Sequence, residues 1–67
     1  MFTVECVKSN DFWNLTVGDI YKVYYDDDNS EWIIKDDFGT FLHLDFIDEK
    51  KFKLLSDDDV CFLVLEL

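Results

Sequence analysis

Arginine, alanine, proline and glutamine are missing from this 67-residue chain, and glycine occurs only at Gly18 and Gly39. The scarcity of basic residues and of glycine closes off classes of function. With no arginine, and 6 lysines against 16 carboxylates, the formal net charge is -10. Direct nucleic-acid binding needs lysine or arginine to displace phosphate counterions, so that class is excluded. Two glycines far apart cannot make a phosphate-cradling loop. Cys6 and Cys61 form no Cys-x-x-Cys pair and His43 is the single histidine, so a transition-metal site lacks ligands. No apolar run reaches the ~18 residues of a membrane span. The start Met1-Phe2-Thr3-Val4-Glu5 has none of the basic residues that open a signal peptide. No membrane, nucleic acid or cofactor is therefore expected as a partner, and the protein reads as cytoplasmic.

What is present is strongly structure-forming. Apolar residues make up 49% of the chain and aromatics 18%, which argues against disorder despite the charge. The length allows one domain, residues 1–67, with a small core, because a chain of this size buries only about 60% of its unfolded surface. The scarce residues draw largely on GC-rich codons and the frequent Phe, Tyr, Ile, Lys and Asn on AT-rich ones, which reads as a low-GC genome.

Period-two alternation dominates the chain. Phe2-Thr3-Val4-Glu5-Cys6-Val7 places Phe2, Val4 and Cys6 on one face. A loop from Asp11 to Asp19 carries Phe12, Trp13 and Leu15, and Gly18 sits at the turn into the next strand, Ile20–Tyr25. The run Asp26-Asp27-Asp28-Asn29-Ser30 reads as a polar hairpin loop and Glu31–Lys35 as the returning strand. Asp36-Asp37-Phe38-Gly39 reads as a tight turn and Thr40–Leu44 as a fourth strand. Residues 45–51 fit a single helical turn around Phe46 and Ile47. Phe52–Leu55 reads as a fifth strand, Ser56–Asp59 as an acidic turn, and Val60–Leu65 as an apolar run ended by Glu66. Five or six short strands at this spacing predict an all-β chain folded as a small antiparallel SH3-like barrel, with at most one short helical turn.

The stretch Leu15-Thr16-Val17-Gly18-Asp19-Ile20-Tyr21-Lys22-Val23, the stretch Trp32-Ile33-Ile34-Lys35-Asp36-Asp37-Phe38-Gly39, and Phe46 together resemble a family of small SH3-like barrel proteins. That family is frequent in phages and prophages of low-GC bacteria. The resemblance covers roughly residues 1–55 and implies a fold and a phage setting, with no uniform activity to carry across. The segment 55–67 departs from the pattern and reads as an added C-terminal strand.

Three acidic clusters, Asp26-Asp27-Asp28, Asp36-Asp37 and Asp57-Asp58-Asp59, all fall in predicted turns. Aspartate is a favoured turn residue and keeps a small apolar protein in solution. The sharper reading is that these carboxylates stand in for nucleic-acid phosphates on a basic partner. A compact chain of this length is roughly 28 Å across, and that length of duplex carries about sixteen charges, so a charge of -10 makes mimicry feasible. Asp26, Asp28, Ser30 and Asp37 also fall on calcium-loop positions, but Glu31 replaces the required glycine and the flanks read as strands.

His43 has no elbow-borne nucleophile nearby in sequence, so no enzyme activity is expected. The thiols Cys6 and Cys61 could bridge the terminal strands, although two reduced thiols suit a chain lacking a signal peptide better. Tyr24, Trp32 and Phe38 are the candidate aromatic anchors of an exposed patch. The expected function is an acidic, non-catalytic, phage-encoded inhibitor of a basic nucleic-acid-handling host protein such as a nuclease, repair enzyme, polymerase or CRISPR effector. An accessory interaction module whose acidity serves only solubility, and an antitoxin or immunity protein against a basic toxin, stand as alternatives. Val60–Leu65 could be a buried strand, an edge that pairs with another chain, or a homodimer seam.

Overall fold

Alternation along the chain is realised as six antiparallel strands in a computed structural model that describes residues 2–65. Glu66, which ends the apolar run, lies outside the described residues. The strands are β1 (Phe2–Lys8), β2 (Ile20–Asp26), β3 (Glu31–Lys35), β4 (Phe41–Asp48), β5 (Lys51–Leu54) and β6 (Asp57–Val64). Each pairs with its neighbour in sequence, and β6 returns to β1, so the sheet closes into a small up-and-down barrel with no helix among the described residues. Closure leaves no free sheet edge. No helix long and apolar enough to cross a membrane exists among those residues.

Register sets what points inward. Val4 faces Tyr21 and Val64, Cys6 faces Phe62, Trp32 faces Leu44, and Phe52 faces Phe62 and Phe46. Val4, Cys6, Val23, Ile34, Val60 and Phe62 are fully buried, and Phe52 and Leu54 almost so. The alternating outward positions carry Lys22, Tyr24, Ile33, Lys35, His43 and Lys53, which is why a chain with so many apolar residues still presents charge around its wall.

Two segments differ from the sequence expectation. Residues 45–51 make no helical turn: β4 runs on to Asp48, with Asp45 opposite Lys53 and Phe46 opposite Phe52. A bulge at Ile47 shifts the phase of the strand, so that Phe46 pairs with the inward Phe52 and Asp48 with the outward Lys51, and the consecutive apolar pair Phe46-Ile47 falls on the bulge rather than on a helical turn. Asp57, Asp58 and Asp59 likewise do not lie in a turn. The turn shrinks to Leu55-Ser56, and the three aspartates open β6, because Val60 and Phe62 must already be alternating inward.

The strand read as an addition completes the barrel. β6 is hydrogen-bonded to β1 on one side and β5 on the other, with Val60 and Phe62 buried, so the apolar run adopts the buried-strand form. Gly18 and Gly39 both hold positive φ, 94° and 85°, at turns where a side chain would be strained. The barrel measures 30 × 24 × 19 Å with a radius of gyration of 10.7 Å.

Candidate binding site

Antiparallel order sends the connections to opposite ends. The segment 9–19, the β3–β4 turn and the β5–β6 turn emerge at one end; the β2–β3 loop and the β4–β5 turn emerge at the other. The first end is capped. Leu15 from the 9–19 segment is buried under the barrel with 8% exposure, and the half-buried Trp13 packs beside it on the core.

Acidic side chains fasten that cap. Trp13 Nε1–H donates to Asp57 Oδ2 at 2.7 Å, and Asn10 Nδ2 donates to the same oxygen at 3.0 Å. These bonds, the tryptophan's first, hold the Asp57 carboxyl below its ordinary value. Asp37 accepts from Tyr21 Oη at 2.7 Å and from Thr16 Oγ1 at 2.8 Å, while its backbone N–H donates to Asn14 O at 2.9 Å. Burial pushes the Tyr21 hydroxyl from 10.0 up to about 12. Asp36, 9% exposed, accepts the N–H groups of Phe38 and Thr40 on Oδ1, each at 2.9 Å, and so shapes the β3–β4 turn.

Among the described residues the other end is open. An apolar mouth of about 300 Å³ is lined by Phe2, Trp32, Phe46, Glu49, Phe52 and Val64. Neighbouring rings stand 5.5–5.8 Å apart, inclined by 63° for Phe2–Trp32, 70° for Trp32–Phe52 and 74° for Phe46–Phe52. Edge-to-face contacts of this kind fix the walls. Beside it Asp26 ends β2, paired with Glu31, and only Asp27 and Asp28 of the cluster lie in the β2–β3 turn. Asp26 accepts the Asp28 N–H and the Asn29 side chain, the latter bond chiefly lowering its pKa. Asp27 and Asp28 are exposed, and no lysine pairs with either among the described residues.

The acidic clusters thus do not converge on one face. Asp36, Asp37 and Asp57 to Asp59 sit at the capped end, and Asp26 to Asp28 at the mouth, a strand length of roughly 20 Å away. Asp58 pairs with Lys53, and the Asp59 carboxylate lies 3.9 Å from Lys8 Nζ. The aromatic candidates separate too. Trp32 faces inward into the mouth, while Tyr24 faces outward beside Ile33, Lys35 and Phe41. Phe38 stands 80% exposed at the capped end, as does Phe12.

Phe2, Glu49, Phe52 and Val64 belong to no motif, and Phe46 enters the resemblance only as a turn aromatic. Their signal is positional: each apolar one is the inward residue nearest the same end of its strand. His43 Nδ1 pairs with Glu31 on the outer wall. Cys6 and Cys61 are both free, one inside the barrel and one on its outer side, and burial raises the Cys6 thiol. No group of three or more metal-ligating side chains exists among the described residues. Comparison with family models, curated proteins and solved structures finds no match.

Proposed function

We propose that this chain is a cytoplasmic, non-catalytic binding protein that docks on a basic protein partner. The observation that carries this reading is the pairing, at one end of the barrel, of an apolar concavity with the unpaired carboxylates of Asp27 and Asp28. An apolar centre with a charged rim is the usual anatomy of a protein interface. A net charge of -10 steers a basic surface toward it and speeds association at low salt. In its narrower form the partner is a nucleic-acid-handling host protein whose groove the carboxylates occupy, and the chain is a phage-encoded inhibitor of it. The split of the clusters between two ends favours docking through one end over a continuous phosphate-like array.

The test is capture of the partner from a bacterial lysate at low and high salt, with its identification and a repeat using Asp26→Asn, Asp27→Asn and Asp28→Asn together. A basic protein retained at low salt, and lost with the triple substitution, supports docking. Recovery of no basic protein, or retention unchanged by the substitution, overturns it. Displacement of that partner by duplex DNA would support the narrower form.

A second reading has its own observation. Asp36, Asp37 and Asp57 accept hydrogen bonds inside the protein, so part of the acidity serves the fold. On that reading the chain is an accessory interaction module, and the same triple substitution alters only solubility.

A further inference from the structure

The mouth is preformed and its lining is chemically one-sided: five apolar side chains and the single carboxylate of Glu49. We infer that it receives one apolar side chain, leucine-sized or larger, carried on a lysine-rich segment of the partner. This rests on the docking reading above and names what that docking is centred on. A polar side chain entering here would leave its donors and acceptors without partners, whereas an apolar one gains the buried area. Phe52, 1% exposed, lies deepest, and Phe46, 53% exposed, stands at the rim, so the site has a floor and a lip. Its walls are already held by ring contacts, so little ordering cost attends binding.

Charge selects the flanks of that segment. Among the described residues the strand ends and turns here carry Asp26, Asp27, Asp28, Asp48 and Glu49 against Lys50 and Lys51. Lysines on either side of the inserted residue meet this acidic rim, and acidic flanks are repelled. The same charge disfavours a second copy as the occupant, because both ends of the barrel bear acidic clusters and each copy carries -10.

The experiment uses the nitrogen-15-labelled protein, titrated with a capped Lys-Lys-Leu-Lys-Lys peptide and with analogues bearing alanine or lysine at the centre. The leucine peptide should shift the Trp32 indole N–H and the Val64 amide saturably, while the Trp13 indole at the capped end stays still. It should bind about tenfold or more tightly than the alanine analogue, a conservative share of a buried leucine's transfer free energy. Val64→Phe fills the mouth and should erase that preference. Phe46→Ala, at the exposed rim, does the same more weakly and serves if the first variant fails to fold.

Equal binding of the leucine and alanine peptides, with shifts confined to the Asp27 and Asp28 amides, overturns the inference and leaves docking intact. Tighter binding of the lysine-centred peptide reassigns the mouth to a cation held by aromatic rings, and overturns it too. No shift at the mouth at millimolar peptide also overturns it, and docking is then decided by the partner capture alone.

Discussion

The two ends of this barrel are built from the same kinds of residue and finish differently. At one end Leu15 and Trp13 close the core, tied down by Asp37 and Asp57; at the other Phe2, Trp32, Phe46 and Phe52 surround an opening. Connection length makes the difference. Residues 9–19 are long enough to fold back across the barrel, while residues 27–30 and 49–50 only reverse the chain. Asp37 and Asp57 at the capped end therefore find donors on the long segment to accept from, whereas Asp27 and Asp28 at the mouth are left to solvent or to a partner. Aspartate does two jobs in one small protein, and the connection beside it decides which.

The largest expected effect comes from breaking the cap. Leu15→Ala should destabilise by about 2–4 kcal/mol, whereas Phe46→Ala at the half-exposed rim should cost under about 1 kcal/mol. Denaturant midpoints measure both, and equal losses would mean that the two ends are equally part of the core. Next comes Tyr21→Phe, which removes the hydroxyl that donates to Asp37 and accepts from the Thr16 N–H. A loss of about 1–2 kcal/mol is expected, seen as a lower melting temperature.

The cap should also carry the pH dependence. Tyr21 titrates near 12 when folded and near 10 when unfolded, so its contribution is complete below pH 10 and lost as pH rises from 10 to 12. Tyr21→Phe should flatten that alkaline limb. Asp57 has a lowered folded pKa, so its contribution is present above its unfolded value of 3.8 and lost as pH falls through the folded one. The Trp13 indole N–H resonance should accordingly move in acid before that of Trp32. Simultaneous movement would show that Asp57 does not hold Trp13. The smallest effect belongs to Phe38→Ser and Phe12→Ser. With each ring 80% exposed, stability should change by no more than about 0.5 kcal/mol.

Much of the fold is legible residue by residue. The inward set Phe2, Val4 and Cys6, the β2–β3 loop (read as Asp26–Ser30, with Asp26 in fact ending β2) and the Gly39 turn follow from alternation and turn chemistry. Asp57 to Asp59 read as a turn because local preference sees only the aspartates. The strand they belong to is enforced from outside, by Leu54 pairing with Asp57 and by the inward demands of Val60 and Phe62. The mouth was harder to foresee still, since Phe2, Phe46 and Val64 lie on three strands and share no local pattern.

By itself the sequence determined the class of fold, the excess of negative charge and the alternation that builds the wall, because each depends on composition or on neighbours a few residues apart. Only the tertiary structure decided that the acidic clusters part to opposite ends and that, among the described residues, one end is plugged while the other stays open. Those outcomes depend on strand order, register and the reach of each connection, which bring together residues distant in the chain.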